Sequence, residues 1–188
     1  MKKIVLTFGL ISGAILSAMM LITLPFHDRI GFDRAMIVGY TTMVIAFLLV
    51  FFGVRQYRDT VGGGSIRFGR AFVVGALIGA VASACYVATW EVVYYNFAPD
   101  YLQKYQAYTL EKARANGESE QAIAQRKAEM DHFAEEYRNP VINVAATFTE
   151  PLPVALIVAL VSAGVLSTGK KRRTDGDGVA AAGAGALA

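Results

Sequence analysis

The chain has 188 residues, of which 55% are hydrophobic and 18% charged, with a mean hydropathy of +0.42. An average soluble domain carries roughly 25% charged residues, so this composition argues against a disordered chain and against an ordinary cytosolic enzyme. The net charge of +3 and pI of about 9.0 would suggest nucleic acid in a soluble protein. Here the basic residues flank apolar runs and read as topology signals, so no nucleic-acid partner is expected.

Taken in chain order, four stretches are long enough for the ~20 apolar residues that a helix needs to cross a hydrocarbon core. They are residues 4–24, 36–54, 71–95 and 141–167, and the only charges within them are Glu91 and Glu150. Each must be helical, because an isolated strand in lipid leaves its backbone groups unpaired, and runs without alternation do not make barrel strands. Lys2 and Lys3 precede the first span. Arg55, Arg58, Arg67 and Arg70 fill the second link, and Lys170, Lys171, Arg172 and Arg173 follow the fourth span. With four spans these basic segments share one side, which predicts cytoplasmic N- and C-termini. Met1-Lys2-Lys3 also resembles the start of a signal peptide. The apolar run is longer than a typical h-region, and its small pair Ser12/Ala14 sits mid-run, so an uncleaved helix is expected.

The link between spans two and three contains Gly62-Gly63-Gly64-Ser65-Ile66-Arg67-Phe68-Gly69-Arg70. A phosphate loop would need Lys-Ser or Lys-Thr after its closing glycine, and Arg70-Ala71 stands there instead. The expectation is a flexible turn, then an interfacial segment whose Ile66 and Phe68 dip among headgroups while Arg67 and Arg70 meet phosphates.

Residues 96–140 form a polar insert with six basic and eight acidic residues. It reads as a helical hairpin over about 99–138, on the outer side, extending spans three and four. The first helix runs from about Asp100 to Ala115 and ends at Asn116-Gly117. Ser119 caps the second, which runs to about Arg138 before Pro140 stops it. Two readings stand: a solvated charged hairpin, or an element that binds a partner or ligand. Residues 1–168 then form one transmembrane domain, and residues 169–188, basic and then Gly/Ala-rich, a disordered cytoplasmic tail.

Lipid gives little hydrophobic drive to helix association, so small residues that admit a close backbone matter. Gly9, Gly13 and Ser17 form such a stripe on span one, and Gly75, Gly79 and Ser83 form one on span three. The two spans run in the same direction, so the stripes can meet as a parallel pair or pack on another copy of the chain.

Candidate chemistry is sparse. A carboxylate at mid-bilayer costs ~2.5–3.5 kcal/mol even on the gentler scales, so Glu91 and Glu150 must be shallow, paired, protonated or functional. Trp90, Tyr94, Tyr95, Phe97 and Tyr101 place Glu91 near the outer interface. Pro151 and Pro153 suit a first turn, with Glu150 at the helix start. With His27, these two carboxylates lie toward the outer side and form the candidate intramembrane polar site. Glu129-x-x-His132 has di-iron spacing, but only one copy exists, and a solvated face is expected. The single Cys85 excludes an intramolecular disulfide. No catalytic residue, metal site or cofactor is expected.

Several ordered motifs carry a family resemblance: Phe51-Phe52-Gly53-Val54-Arg55 with Tyr57-Arg58-Asp59, Gly63-Gly64-Ser65-Ile66-Arg67-Phe68-Gly69-Arg70-Ala71-Phe72, Tyr86, Trp90-Glu91 and Tyr94-Tyr95. Over roughly residues 4–168 the chain resembles the bacterial integral membrane family known as domain of unknown function forty-one ninety-nine. The resemblance implies a four-helix membrane protein with no assigned activity, cofactor or catalytic residue. The expected fold is all-α: a four-transmembrane-helix bundle with an extracytoplasmic hairpin between helices three and four. The expected role is a non-enzymatic interaction or structural protein of the bacterial inner membrane. Its partners are the lipid bilayer and a membrane protein or further copies of itself. The alternative is a small transporter or ion-coupled protein using Glu91 and Glu150.

Overall fold

In a computed structural model describing residues 1–26 and 31–167, the chain is helical, with no strand among the described residues. The helices are α1 (Lys2–Thr23), α2 (Phe32–Thr60), α3 (Phe68–Asn96), α4 (Tyr101–Ala115), α5 (Glu120–Glu136), α6 (Pro140–Phe148) and α7 (Pro151–Leu166). Helices α1, α2 and α3, and α6 together with α7, are each long and apolar enough to cross a membrane. His27 and the tail from residue 168 onward lie outside the described residues.

Helix α2 exceeds the expected 36–54 at both ends, because Asp33-Arg34 and the polar residues after Val54 remain helical beyond the apolar core. Hydropathy marks the hydrocarbon; it does not mark where backbone hydrogen bonding stops. The fourth span is broken. Glu150 separates α6 from α7, and the break has a covalent cause. Pro151 and Pro153 lack N–H groups, so the carbonyls of Thr147 and Thr149 lose their usual donors four residues on. The Glu150 amide reaches back to the Thr147 carbonyl at 3.3 Å and closes the first gap. Pro140 does not merely stop α5. It opens α6 at a first-turn position, where Asn139 caps by accepting from the Val141 amide at 3.0 Å.

Helices α2 and α3 touch each other, and both touch α1 and α7. Phe47, Val50, Val54, Val74 and Ile78 are fully buried between them. Outward positions such as Ile37, Ile45 and Val165 are exposed apolar side chains, as a lipid-facing surface requires.

Small residues set the closest approaches. A Cβ on Gly9 would lie 2.7 Å from the Val81 Cβ, and one on Gly13 would lie 2.5 Å from the Cys85 Cβ. The steps advance together, so α1 and α3 are parallel. A Cβ on Gly75 or Gly79 would meet the Cβ of Ala159 at 3.0 Å or of Ala155 at 2.7 Å. There the numbers run oppositely, so α3 and α7 are antiparallel. The two small-residue stripes therefore do not meet each other. Two residues of helix rotate about 200°, so positions 81 and 85 stand opposite positions 79 and 83. Helix α3 has two smooth faces, one for α1 and one for α7.

The Gly62–Gly64 link is a tight turn, with φ of 60° at Gly63 and 86° at Gly64. These are left-handed values that favour glycine. Ile66 does not dip into headgroups. It is buried in the same bundle core as Tyr57 and Leu166, while Phe68 is exposed at the start of α3.

Helices α4 and α5 pack through Leu110, Ala113 and Ile123. Gly117, at φ 75°, ends α4 with its amide on the Arg114 carbonyl, and the Glu118 amide returns to Ala113. The Ser119 hydroxyl accepts from the Ala122 amide at 3.2 Å and caps α5. The insert does not prolong α3. The chain turns at residues 97–100, so that Tyr101 lies against Trp90 with ring centres 4.9 Å apart.

Candidate functional site

The break at Glu150 positions the most polar part of the spanning region. Tyr86, on α3, donates its hydroxyl to Glu150 Oε2 at 2.8 Å. One helical turn on, the Trp90 indole N–H donates to the Tyr137 hydroxyl oxygen at 2.7 Å. Tyr137 spends its own proton on Thr147, 2.9 Å away, and Thr147 donates to the Asn143 carbonyl at 2.8 Å. This directed chain ties α3 through the end of the insert to α6. In a low-dielectric interior such a chain orders the side chains that it pairs; at its end the Asn143 Nδ2 has no partner among the described residues.

Aromatic rings continue it. Tyr94 meets Trp90 at 5.9 Å and Tyr137 at 5.3 Å. Burial pushes the Tyr101 phenol up to about 12 and raises Tyr137 in the same direction, so both stay protonated at neutral pH. Further along α4, Tyr101, Tyr105 and Tyr108 surround Phe32 at 5.9, 5.5 and 5.1 Å. Lys112 binds Asp33 through both carboxylate oxygens, at 2.8 and 2.7 Å. The hairpin is thereby strapped to the start of α2.

Between α1, α2, α3 and the hairpin lies a cavity of about 1340 Å³. Glu150, Tyr86, Trp90 and Tyr101 line it. So do Met19, Met20, Met36, Met43 and Met130, five of the six methionines in the chain.

The candidate residues divide. Glu150 lines the cavity, and Glu91 does not. Among the described residues, Glu91 Oε1 is buried without a hydrogen-bond partner, as are Asn143 Nδ2 and Ser83 Oγ. Gly9 and Gly13 face α3, Gly75 and Gly79 face α7, and Ser17 accepts from the Thr89 hydroxyl at 2.7 Å. His27 lies outside the described residues. Glu129 accepts from Gln125, and His132 stands 3.7 Å from Glu136 on an exposed face. Among the described residues no three His, Cys, Asp or Glu side chains gather as metal ligands. Sequence reasoning missed Tyr86, Thr147 and Asn143 as a constellation. The available signal was Asn143, a strongly polar side chain inside an otherwise apolar run.

Four apolar spans around a shared core define a multi-pass helical membrane protein. The family described as "Protein of unknown function (DUF4199)" matches residues 7–168, and the chain belongs to it. Comparison with curated proteins and with solved structures gave no match.

Proposed function

We propose that this is a non-enzymatic integral protein of a bacterial cytoplasmic membrane, with both termini cytoplasmic, that acts by binding a membrane partner through its outer hairpin. The observation that carries this reading is the strap between hairpin and bundle. Phe32 sits among three tyrosines of α4 and Asp33 holds Lys112, so the insert is fixed in orientation instead of hanging in solvent. A polar element held this firmly presents one surface, and preorganisation lowers the cost of binding. The basic residues that flank the spans support the orientation.

The ion-coupled reading has less support. It needs Glu91 and Glu150 on one hydrated path, and only Glu150 lines the cavity. The test is photocrosslinking in native membranes from exposed hairpin positions such as Gln121 or Gln125. A discrete adduct, with another protein or a second copy, is expected. Recovery of only the uncrosslinked monomer from every hairpin position would overturn the proposal.

A further inference from the structure

The geometry points to a cation site: we infer that the deep end of the cavity binds a compact organic ammonium ion, with Glu150 as its counter-charge and Trp90 and Tyr101 as its aromatic walls.

Helix register sets the depth. Helices α3 and α7 run oppositely, with Gly75 against Ala159 and Gly79 against Ala155, which brings Glu150 level with Tyr86. Tyr86 stands ten residues before the Asn96 end of α3, about 15 Å along the helix. Nine charged side chains line the cavity, and the eight besides Glu150 lie on the insert or at Asp33, at the start of α2. The cavity is therefore charged toward the hairpin, and Glu150 is the single charge at its deep end. Six of the nine are carboxylates, so the hairpin side attracts cations.

Glu150 is also unmatched. Asp33 and Glu118 already hold Lys112 and Arg126 in ion pairs. At Glu150 the Tyr86 phenol donates to Oε2, and among the described residues no Lys, Arg or His forms an ion pair with the carboxylate. A charge at that depth is costly until a counter-ion meets it.

The rings decide which cation. Trp90 and Tyr101 meet at 79° with centres 4.9 Å apart and form a two-walled corner. Burial, and after it the Glu150 charge, raises the Tyr101 phenol to about 12, which places the phenol within electrostatic reach of the carboxylate. Ring faces attract a cation whose charge is spread over alkyl groups. A hard metal ion needs several oxygen ligands, and among the described residues no three His, Cys, Asp or Glu side chains gather. The cavity wall already holds one contact of the proposed kind, since the Lys112 ammonium lies 5.8 Å from the Tyr108 ring centre.

Trp90 is the sole tryptophan and reports on the corner. Choline, its uncharged carbon isostere dimethylbutanol, and potassium would each be titrated into the purified full chain in maltoside micelles, with Trp90 emission and calorimetry as readouts. Choline is expected to bind saturably and about tenfold more tightly than either control. Glu150→Gln should weaken choline by about tenfold or more. Tyr101→Leu should weaken it by about tenfold, while Tyr101→Phe, which keeps the ring, should bind as the native chain does. Absence of a saturable choline response in both readouts overturns the site. Equal binding of the isostere, or undiminished affinity in Glu150→Gln, overturns the counter-charge. Equal binding of potassium, or equal affinity in Tyr101→Leu and Tyr101→Phe, overturns the aromatic walls. If Glu150→Gln does not fold, the isostere decides; if Tyr101→Leu does not fold, potassium decides.

Discussion

The two ends of the α3 helix are built on opposite principles. From Ala71 to about Ala82, its neighbours are glycines, alanines and fully buried aliphatics, and the backbones nearly touch. From Tyr86 onward its neighbours are phenols, an indole, a carboxylate and methionines around open space. The first region gains stability by dispersion at close range, the means left when lipid offers no hydrophobic drive. The second gives up contact for volume and restores order with hydrogen bonds. The bundle is thus a stiff stem carrying a chamber, and the same helix serves both.

Glycine substitutions would break this contrast most sharply. Gly79→Leu forces a side chain where even a Cβ would stand 2.7 Å from Ala155, and Gly13→Leu does so against Cys85 at 2.5 Å. Overpacking of this kind costs about 1–3 kcal/mol, and more where backbone must move. Both variants should lower the thermal midpoint in detergent by several degrees or fail to assemble. Gly39→Leu, at a chamber-lining position where a Cβ meets nothing within 4 Å, should leave the midpoint unchanged or raised. Equal losses at all three positions would show that the chamber end is as tightly packed as the stem.

Tyr137→Phe probes the hydrogen-bonded end with a smaller effect. It removes the oxygen that takes the Trp90 proton and the hydroxyl that meets Thr147, while keeping the ring on Tyr94. Leaving buried groups unpaired costs about 1–3 kcal/mol. The expected readout is a lower midpoint together with a shifted Trp90 emission. A drop in midpoint without a spectral change would mean that the indole had found another acceptor.

These differences explain what the sequence made legible. The spans were readable because lipid forces each apolar run to satisfy its own backbone, a local requirement that leaves a local signature. The Pro151/Pro153 start was readable for the same reason. Gly75 and Gly79 announced a smooth face without naming its partner, since a stripe fits any helix that can approach it; the partner is α7. Ile66 looked interfacial beside Arg67 and Phe68, and only the closing of the turn put it in the core. The chamber left no local trace. Its methionines stand on α1, α2 and α5, and nothing in the spacing of Met19, Met36 and Met130 says that they share one wall. Glu91 and Glu150 stand out in the sequence as the only charges in the apolar runs, which is sound for each alone. It does not bring them onto one surface.

The smallest expected effect concerns the strap that closes the chamber. The Asp33 carboxylate raises the Lys112 ammonium above its ordinary value of 10.5, and Tyr108 beside them is raised as well. A cation whose folded value lies above its unfolded one contributes fully below the unfolded value and loses that contribution as pH rises through the folded value. The strap should therefore hold across the physiological range and loosen only above about pH 10.5, where Lys112 begins to lose its proton. Because the pair is exposed, its loss should free the hairpin without unfolding the stem. Hydrogen exchange would read this as faster exchange in α4 with α3 unchanged, and Lys112→Met should reproduce it at neutral pH. Acceleration spreading into α3 would mean that stem and chamber open as one unit, and the division between them would fall.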